Sequence, residues 1–468
     1  MFLKDRKWRP SSPDRMKKVL IANRGEIACR VIRSCKALGL QTVAVYSDPD
    51  AQARHVEMAD QWVALGGSSA ADSYLRADAV IEAAQSSGAD AIHPGYGFLS
   101  ENENFAAAVE AAGILWVGPT PASIADMGDK ERARLLAKAA GVPVLPGSSR
   151  FRPGELEGLV TASREVGFPL LVKAAAGGGG IGMRRVDRPE DLQAAVESTQ
   201  GMAARAFGDG SVYLERYIAS ARHVEVQVFG FGDGQAIHIH ERDCSIQRRF
   251  QKIIEESPAP GLSSATLQAI YDAASALCKQ ERYRGAGTVE FVLDAQTHEF
   301  FFLEMNTRIQ VEHPVSEMIT GLDLVGMQLQ LAGGQTPQAR VQSDVHSSGH
   351  AIECRLYAER PSKGFLPSTG IVTRFDLPPT GDTLRIDSGV RTGDRISHFY
   401  DPMIAKIIAH GADREQAIAR LIDAIDSVHI EGIDTNLAFL RRTLDHPAFR
   451  DGQVSTNFVD LHKMELIG

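Results

Sequence analysis

The sequence has few cysteines, and none of them form a CxxC pair. Cys29, Cys35, Cys244, Cys278 and Cys354 make an odd set of five, which suits free thiols in a reducing, cytoplasmic setting. Cys29 and Cys35 sit six apart in an apolar helical pattern and read as core filling. No run of about 20 predominantly apolar residues occurs, so no helix is expected to span a membrane. There is no excess of basic charge. Lys+Arg number 50 against 59 Asp+Glu, a formal net charge of -9, the wrong sign for a non-specific nucleic-acid binder. An acidic whole can still hold a basic pocket, so anionic small substrates stay open. Met1 to Lys18 has no apolar core of a secretory signal and mixes Lys and Arg with Asp5 and Asp14. It reads as a floppy extension before the first strand. A short transit peptide is the weaker alternative, because such peptides avoid acids. Nothing repeats at a fixed period, and no low-complexity block occurs beyond the glycines. What remains is an ordinary folded balance, 44% hydrophobic and 23% charged over 468 residues, with a length prior of about three domains.

The first 125 residues or so alternate strand and helix. Val19 to Asn23 is a short apolar run ending at Arg24-Gly25. A helical pattern follows through Ile27, Val31, Ile32 and Leu38, and then a second strand, Gln41 to Tyr46. Further units fall near Ala77 to Ser86, Ala91-Ile92, Phe105 to Ala112 and Ile114 to Val117. This is the start of a doubly wound α/β sheet. The centre reads as α+β, with strands at Pro169 to Ala174, Val212 to Glu215, Val224 to Phe229, Ala236 to His240, Thr288 to Leu293 and Glu299 to Met305. After about residue 345 a smaller mixed segment begins, with a strand at His350 to Leu356 and a helix near Arg414 to Ser427.

Three constellations carry chemistry. Pro169 to Ala174 runs into Gly177, Gly178, Gly179 and Gly180. The run does not match GxxxxGK[ST]. Bare glycine N–H groups can cradle an anion, and they can equally form a plain hinge. Lys173, just upstream, adds a point charge suited to phosphate. The second constellation is a hairpin. If its turn centres on Thr297, Glu290 lies opposite Glu304. If Leu303 to Val311 stays extended, Glu304, Asn306, Arg308, Gln310 and Glu312 share one face, while Leu303, Met305, Ile309 and Val311 face a core. Two cross-strand acids repel unless a cation joins them, and hard oxygen ligands suit Mg²⁺ or Mn²⁺. A solvated face with fortuitous salt bridges is the bland alternative. Third, Arg242, Arg248, Arg249 and Lys252 crowd beside Gln247 and Gln251 and could hold phosphate or bicarbonate. Arg248 or Arg249 is expected in a structural ion pair. The segment His93 to Phe98, Arg355 and Asp401 say nothing alone.

Several longer motifs complete the pattern: IANRGEIA (Ile21 to Ala28), HPGYGFLSEN (His93 to Asn102), MGDK (Met127 to Lys130), KAAAGGGGIGM (Lys173 to Met183), RHVEVQV (Arg222 to Val228), ERDCSIQRR (Glu241 to Arg249) and EMNTRIQVEHPVSEMITG (Glu304 to Gly321). In this order the chain resembles biotin carboxylase, the ATP-grasp component of biotin-dependent carboxylases, from about Lys18 to about Phe458. The resemblance implies an N-terminal α/β domain over residues 1–129, an ATP-grasp domain over 130–345 with a mobile glycine-rich lid at about 146–218, and a C-terminal mixed α/β domain over 346–468. It implies ATP-dependent carboxylation of biotin by bicarbonate through carboxyphosphate. Lys130 and Lys173 would meet the ATP phosphates, and the four glycines and Met183 would belong to the same ATP site. Glu215 and Ile218, with Arg216 between them, would hold the adenine, and His223 and Gln247 the sugar or phosphates. Glu290 and Glu304, with Asn306 nearby, would hold Mg²⁺ or Mn²⁺. Lys252, Arg308, Gln310 and the Val311 backbone would bind bicarbonate, and Glu312 would be the base. Arg355 would stabilise the biotin enolate, with Tyr96 and Asp401 lining the biotin side.

Three positions depart from the family pattern: Phe250 where many relatives have histidine, Ile181 where Arg or Lys is frequent, and Arg216 for the usual lysine. None lies in the row from Glu304 to Glu312, so activity is expected to be retained with altered ATP affinity. The alternatives are another ATP-grasp ligase making an acyl phosphate, and a non-catalytic nucleotide-binding subunit. No Met-Lys-Met biotin acceptor sequence occurs. The expected partners are a biotin carboxyl carrier protein or domain, a carboxyltransferase subunit and a second copy in a homodimer. The final acceptor, whether acetyl-, propionyl- or methylcrotonyl-CoA, pyruvate or another, is not readable.

Overall fold

The computed structural model of the chain describes residues 16–175, 182–249 and 251–467. The expected N-terminal extension up to residue 15, the glycines Gly177 to Gly180, Ile181 and Phe250 lie outside the described residues. None of the described helices is long and apolar enough to cross a membrane.

The first sheet has five parallel strands in the order Gln61–Ala64, Gln41–Tyr46, Lys18–Ile21, Ala91–His93, Leu115–Trp116. Helix Gly25–Ala37 buries Ile27, Val31 and Ile32 together with Cys29 and Cys35, so both thiols fill the core as expected. The edge strand Gln61–Ala64 escapes a reading by pattern because its residues are mostly exposed and offer no buried alternation. The chain order reverses between Lys18–Ile21 and Ala91–His93. Such a switch point leaves a crevice at the strands' carboxyl ends. Asn23 and the Pro94–Tyr96 turn meet there, where Asn23 Nδ2 donates to the carbonyls of Pro94 (2.8 Å) and Tyr96 (2.7 Å).

A separate three-stranded antiparallel sheet, Met183–Val186, Leu170–Ala174, Val212–Arg216, packs with helices Leu159–Val166 and Leu192–Phe207. Its own small core includes Leu170, Val172, Val196 and Leu214.

The largest sheet has eight antiparallel strands in the order Phe300–Asn306, Arg284–Asp294, Ala221–Phe231, Ala236–Arg248, Gln251–Ser257, His350–Tyr357, Met403–Gly411, Leu384–Ser388. Hydrogen bonding continues across residue 345, because Gln251–Ser257 pairs with His350–Tyr357. Alternation explains the faces. Val224, Val226 and Val228 join Val289, Phe291 and Met305 in one core, which sends His223, Glu225 and Gln227 to the other side.

Two expectations about the Glu304 row need correction. First, the strand ends at Asn306, and residues 307–312 turn into helix His313–Thr320. Glu101 takes the Thr307 N–H at 3.2 Å, and Pro314 occupies the first helical turn, where its missing N–H costs nothing. Second, Leu303 does not face a core but is 43% exposed. Glu290 does pair with Glu304, yet Phe291 pairs with Phe302, so Leu303 is the extra residue of a β-bulge.

Candidate active site

One face of the eight-stranded sheet carries a row of buried charges. Lys252 is its centre. Its Nζ lies 2.6 Å from Glu225 Oε2, 2.8 Å from Glu290 Oε1 and 2.7 Å from Glu312 Oε1. Burial opposes the ammonium charge, but the three carboxylates overrule it and hold the lysine's pKa well above its usual value. On the far side Arg355 reaches Glu312 Oε2 at 3.0 Å and Glu255 Oε1 at 2.6 Å. Glu312 is fully buried. Burial and the Glu225 charge work against its ionised form, whereas Lys252 and Arg355 favour it, and its pKa ends below the ordinary carboxylate value. It is therefore ionised at neutral pH. Lys252 and Glu255, three residues apart, both serve this region because Ile253 is an extra residue between the Gln247–Lys252 and Ile246–Ile254 pairs, and the bulge shifts the alternation by one.

The loop after Asn306 is built for an anion. Arg308 donates to Glu101 Oε2 (2.9 Å), Asn306 Oδ1 (3.0 Å) and Gln310 Oε1 (3.2 Å). Among the described residues, the backbone N–H groups of 308–312 have no protein acceptor. They lead directly into the N-terminus of helix His313–Thr320. Consecutive unpaired N–H groups, a helix N-terminus, a guanidinium and an ammonium together favour a small oxyanion.

Glu290 and Glu304 face each other across the hairpin in register. Glu290 is well satisfied. His223 Nε2 lies 3.0 Å from Oε2, while Asn306 and Gln310 donate to Oε1 at 2.8 and 3.0 Å. Its pKa falls far below the usual range despite burial, chiefly through Lys252 and His223. For His223 burial resists the charge, but Glu290 wins and pushes its pKa up to about 9. Glu304 has neither a hydrogen bond nor an ion pair among the described residues, and burial plus the Glu290 charge push its pKa up. An unpaired carboxylate beside a paired one is a donor set that a hard divalent cation would complete. Asn306 is already spent on Glu290 and Arg308. Gln247 Nε2 lies 3.0 Å from His223 Nδ1. Lys130 is exposed at the start of helix Lys130–Ala139 and close enough to Glu304 to pull its pKa down. In the small sheet, Lys173 is ion-paired with Glu215, Met183 stands opposite Lys173, and Arg216 points to Glu299 at 3.8 Å. Ile218 follows that strand and is half-buried.

At the switch point of the first sheet lies a cavity of about 640 Å³. Tyr96, Phe98, Val311, Arg355, Tyr357, Phe399, Tyr400 and Asp401 are among the residues that line it. Arg355 and Val311 thus belong both to the charged row and to this partly aromatic cavity. The Tyr96 hydroxyl donates to Glu26, and Glu26 Oε2 is 3.3 Å from Lys406 Nζ.

The arginine cluster is not what its composition suggests. Arg242 is fully buried and donates to Glu225 (2.7 Å), Gln227 (2.7 Å), Ser316 (3.0 Å) and Thr288 (3.1 Å), and Nη2 also lies 2.6 Å from Glu225 Oε1, so its five N–H groups are turned to the protein and none is left for an anion. Arg248 makes the expected structural pair, with Glu359 at 2.7 Å, and Arg249 is exposed. Sequence reasoning missed Glu225, Glu101, Glu255 and Lys406. Glu225 was findable: in RHVEVQV it shares alternate positions with His223 and Gln227. The other three gave no local signal.

A small antiparallel sheet beside a long antiparallel sheet that carries a carboxylate pair and an anion loop is the architecture of the ATP-grasp fold. The chain belongs to the biotin carboxylase family. The family descriptions "Biotin carboxylase, N-terminal domain" and "Biotin carboxylase C-terminal domain" match residues 15–124 and 353–461, and "Carbamoyl-phosphate synthase L chain, ATP binding domain" matches 129–339. Biotin carboxylase 1 of Bacillus subtilis is 47% identical over 96% of this chain and 99% of its own length. The mitochondrial methylcrotonoyl-CoA carboxylase subunit alpha of Dictyostelium discoideum is 49% identical over 96% of this chain, which spans 64% of that longer relative. Among solved structures, the biotin carboxylase domain dimer of Hydrogenobacter thermophilus 2-oxoglutarate carboxylase, in complex with MgADP, ADP and bicarbonate, superposes with a TM-score of 0.88. It is 43% identical and covers 97% of this chain and 99% of that one.

Proposed function

We propose that this chain carries out the ATP-dependent carboxylation of biotin by bicarbonate, the first half-reaction of a biotin-dependent carboxylase. The observation that carries the reading is Glu312, ionised and clasped between Lys252 and Arg355 where the anion loop meets the aromatic cavity. Bicarbonate is a poor nucleophile. Bound by Arg308, Lys252, Gln310 and the Val311 N–H, it would lose its proton to Glu312 and attack the γ-phosphorus of ATP, releasing ADP. Lys130 and Lys173 would neutralise phosphate charge as it develops. Glu290 and Glu304 would hold magnesium or manganese, which would offset the phosphate charge. The Lys173–Glu215 ion pair supports giving Lys173 to the phosphates and Glu215 to the adenine, and Arg216, Ile218, His223 and Gln247 would complete the nucleotide side.

Carboxyphosphate would then fall to CO₂ and phosphate. Phosphate would take the ureido N–H proton of biotin, and Arg355 would hold the resulting enolate while it captures CO₂. Tyr96 and Asp401 line the cavity assigned to biotin. A closing lid would keep water from the intermediates. The functional parts we assign are residues 1–129, 130–345 and 346–468. A biotin carrier, a carboxyltransferase and a second copy of the chain are the proposed partners.

The test is bicarbonate-dependent ATP cleavage with free biotin. Cleavage that needs bicarbonate and rises with biotin supports the reading. Bound nucleotide without any response to either overturns it.

A further inference from the structure

His313 borders the anion loop from behind. Its ring is fully buried. Nδ1 lies 2.7 Å from the carbonyl oxygen of Gln310. A carbonyl oxygen can only accept, so Nδ1 carries the ring proton. Burial, with the charges of Lys406 and Arg30, pushes the imidazole pKa well below its usual value, so the ring is neutral and Nε2 is bare. Nε2 finds no hydrogen-bond partner among the described residues, and Glu317 Oε2 is 3.7 Å away. The ring therefore makes one directional contact, with the Gln310–Val311 peptide. In a planar trans peptide the C=O and N–H point opposite ways. Fixing the oxygen toward His313 aims the Val311 N–H away from it. The next carbonyl, that of Val311, is gripped in the same manner by the buried Lys406 at 2.7 Å.

We propose that His313 is a positioning residue for the anion: its Nδ1–H clamps the Gln310–Val311 peptide and so delivers the Val311 N–H to bicarbonate. This rests on the reading that residues 308–312 bind bicarbonate.

Two substitutions of the full chain separate this role from mere packing. In His313→Asn the side-chain amide sits near the Nδ1 position and can keep the donor. In His313→Gln it sits nearer Nε2 and loses it. Steady-state ATP cleavage is followed against bicarbonate and against ATP, with ADP binding as the check on folding. We expect His313→Gln to raise the bicarbonate KM about tenfold or more, the loss of one charge-assisted hydrogen bond, with the ATP KM unchanged. His313→Asn should stay within about threefold of wild type. A packing role predicts that both variants fail alike, or that the bulkier Gln is tolerated better; either ranking overturns the proposal, as does a parallel rise in both KM values. If His313→Gln does not bind ADP, the Asn variant decides: a near-normal bicarbonate KM supports the clamp, and a rise beyond about tenfold refutes it. A wild type indifferent to bicarbonate sinks the reading of the site itself. A bicarbonate-dependent wild type with the wrong ranking sinks only the role of His313.

Discussion

Exchanging Glu312 for glutamine changes a single atom in the most constrained part of the site. Both carboxylate oxygens are engaged, one by Lys252 at 2.7 Å and the other by Arg355 at 3.0 Å. An amide keeps the shape but offers one acceptor and one donor. Whichever way it is turned, its NH₂ faces a cation that can only donate. Glu312→Gln therefore loses one charge-assisted hydrogen bond outright, on the order of 1.5–3 kcal/mol of stability. Lys252 still has Glu225 and Glu290, and Arg355 still has Glu255, so the fold should survive. The effect on turnover is larger, because a positioned base contributes about 10² to 10⁴. The expected outcome is bicarbonate-dependent ATP cleavage reduced by that factor, with ADP affinity by calorimetry within about threefold of wild type. Turnover within tenfold of normal would refute the assignment of Glu312 as the base. A matching collapse of ADP affinity would show instead that Glu312 supports the nucleotide side.

Other expectations follow from neighbouring groups. Glu304→Gln should raise the magnesium concentration needed for half-maximal ATP cleavage about tenfold or more; an unchanged magnesium titration would mean the hairpin acids do not hold the metal. Glu353 is fully buried opposite Glu255, with neither oxygen hydrogen-bonded, and burial raises its pKa well above that of a free carboxyl although Lys406 and Arg355 oppose this. The folded chain thus keeps a proton that the unfolded chain releases at lower pH, and stability falls as pH rises through that window. Glu353→Gln should be nearly neutral at about pH 5 and raise the melting temperature by about 2–4 °C at about pH 8; equal effects at both would contradict this. Arg242→Met should destabilise by about 3–5 kcal/mol in denaturant unfolding, since it leaves Glu225 Oε1 and the acceptors on Gln227, Ser316 and Thr288 without their buried donor; a loss under 1 kcal/mol would show that the buried network relaxes.

What the sequence determined by itself was local. The alternation from Val224 to Phe229 marked a strand. The short connection Asp294 to His298 marked a hairpin that brings Glu290 near Glu304, but their direct pairing depends on the extra residue Leu303. The glycine turn after the first strand announced the doubly wound domain. Side-chain parity and turn length are properties of a few neighbouring residues, so they can be read in order along the chain.

The tertiary structure decided the rest. Parity fails beyond Asn306, where the chain turns under Glu101 and brings Arg308, Gln310 and Glu312 to the site by a loop rather than a strand. The bulges at Ile253 and Leu303 each move the alternation by one, and only the partner strand reveals them. Arg242 reads as an anion ligand beside Arg248 until Glu225, Gln227 and Thr288, distant in sequence, fill its donors. Lys406 reaches the Val311 carbonyl across 95 residues. Buried charges take their roles from whichever groups the fold packs against them, and the cost of leaving any one unpaired is what forces those distant residues together.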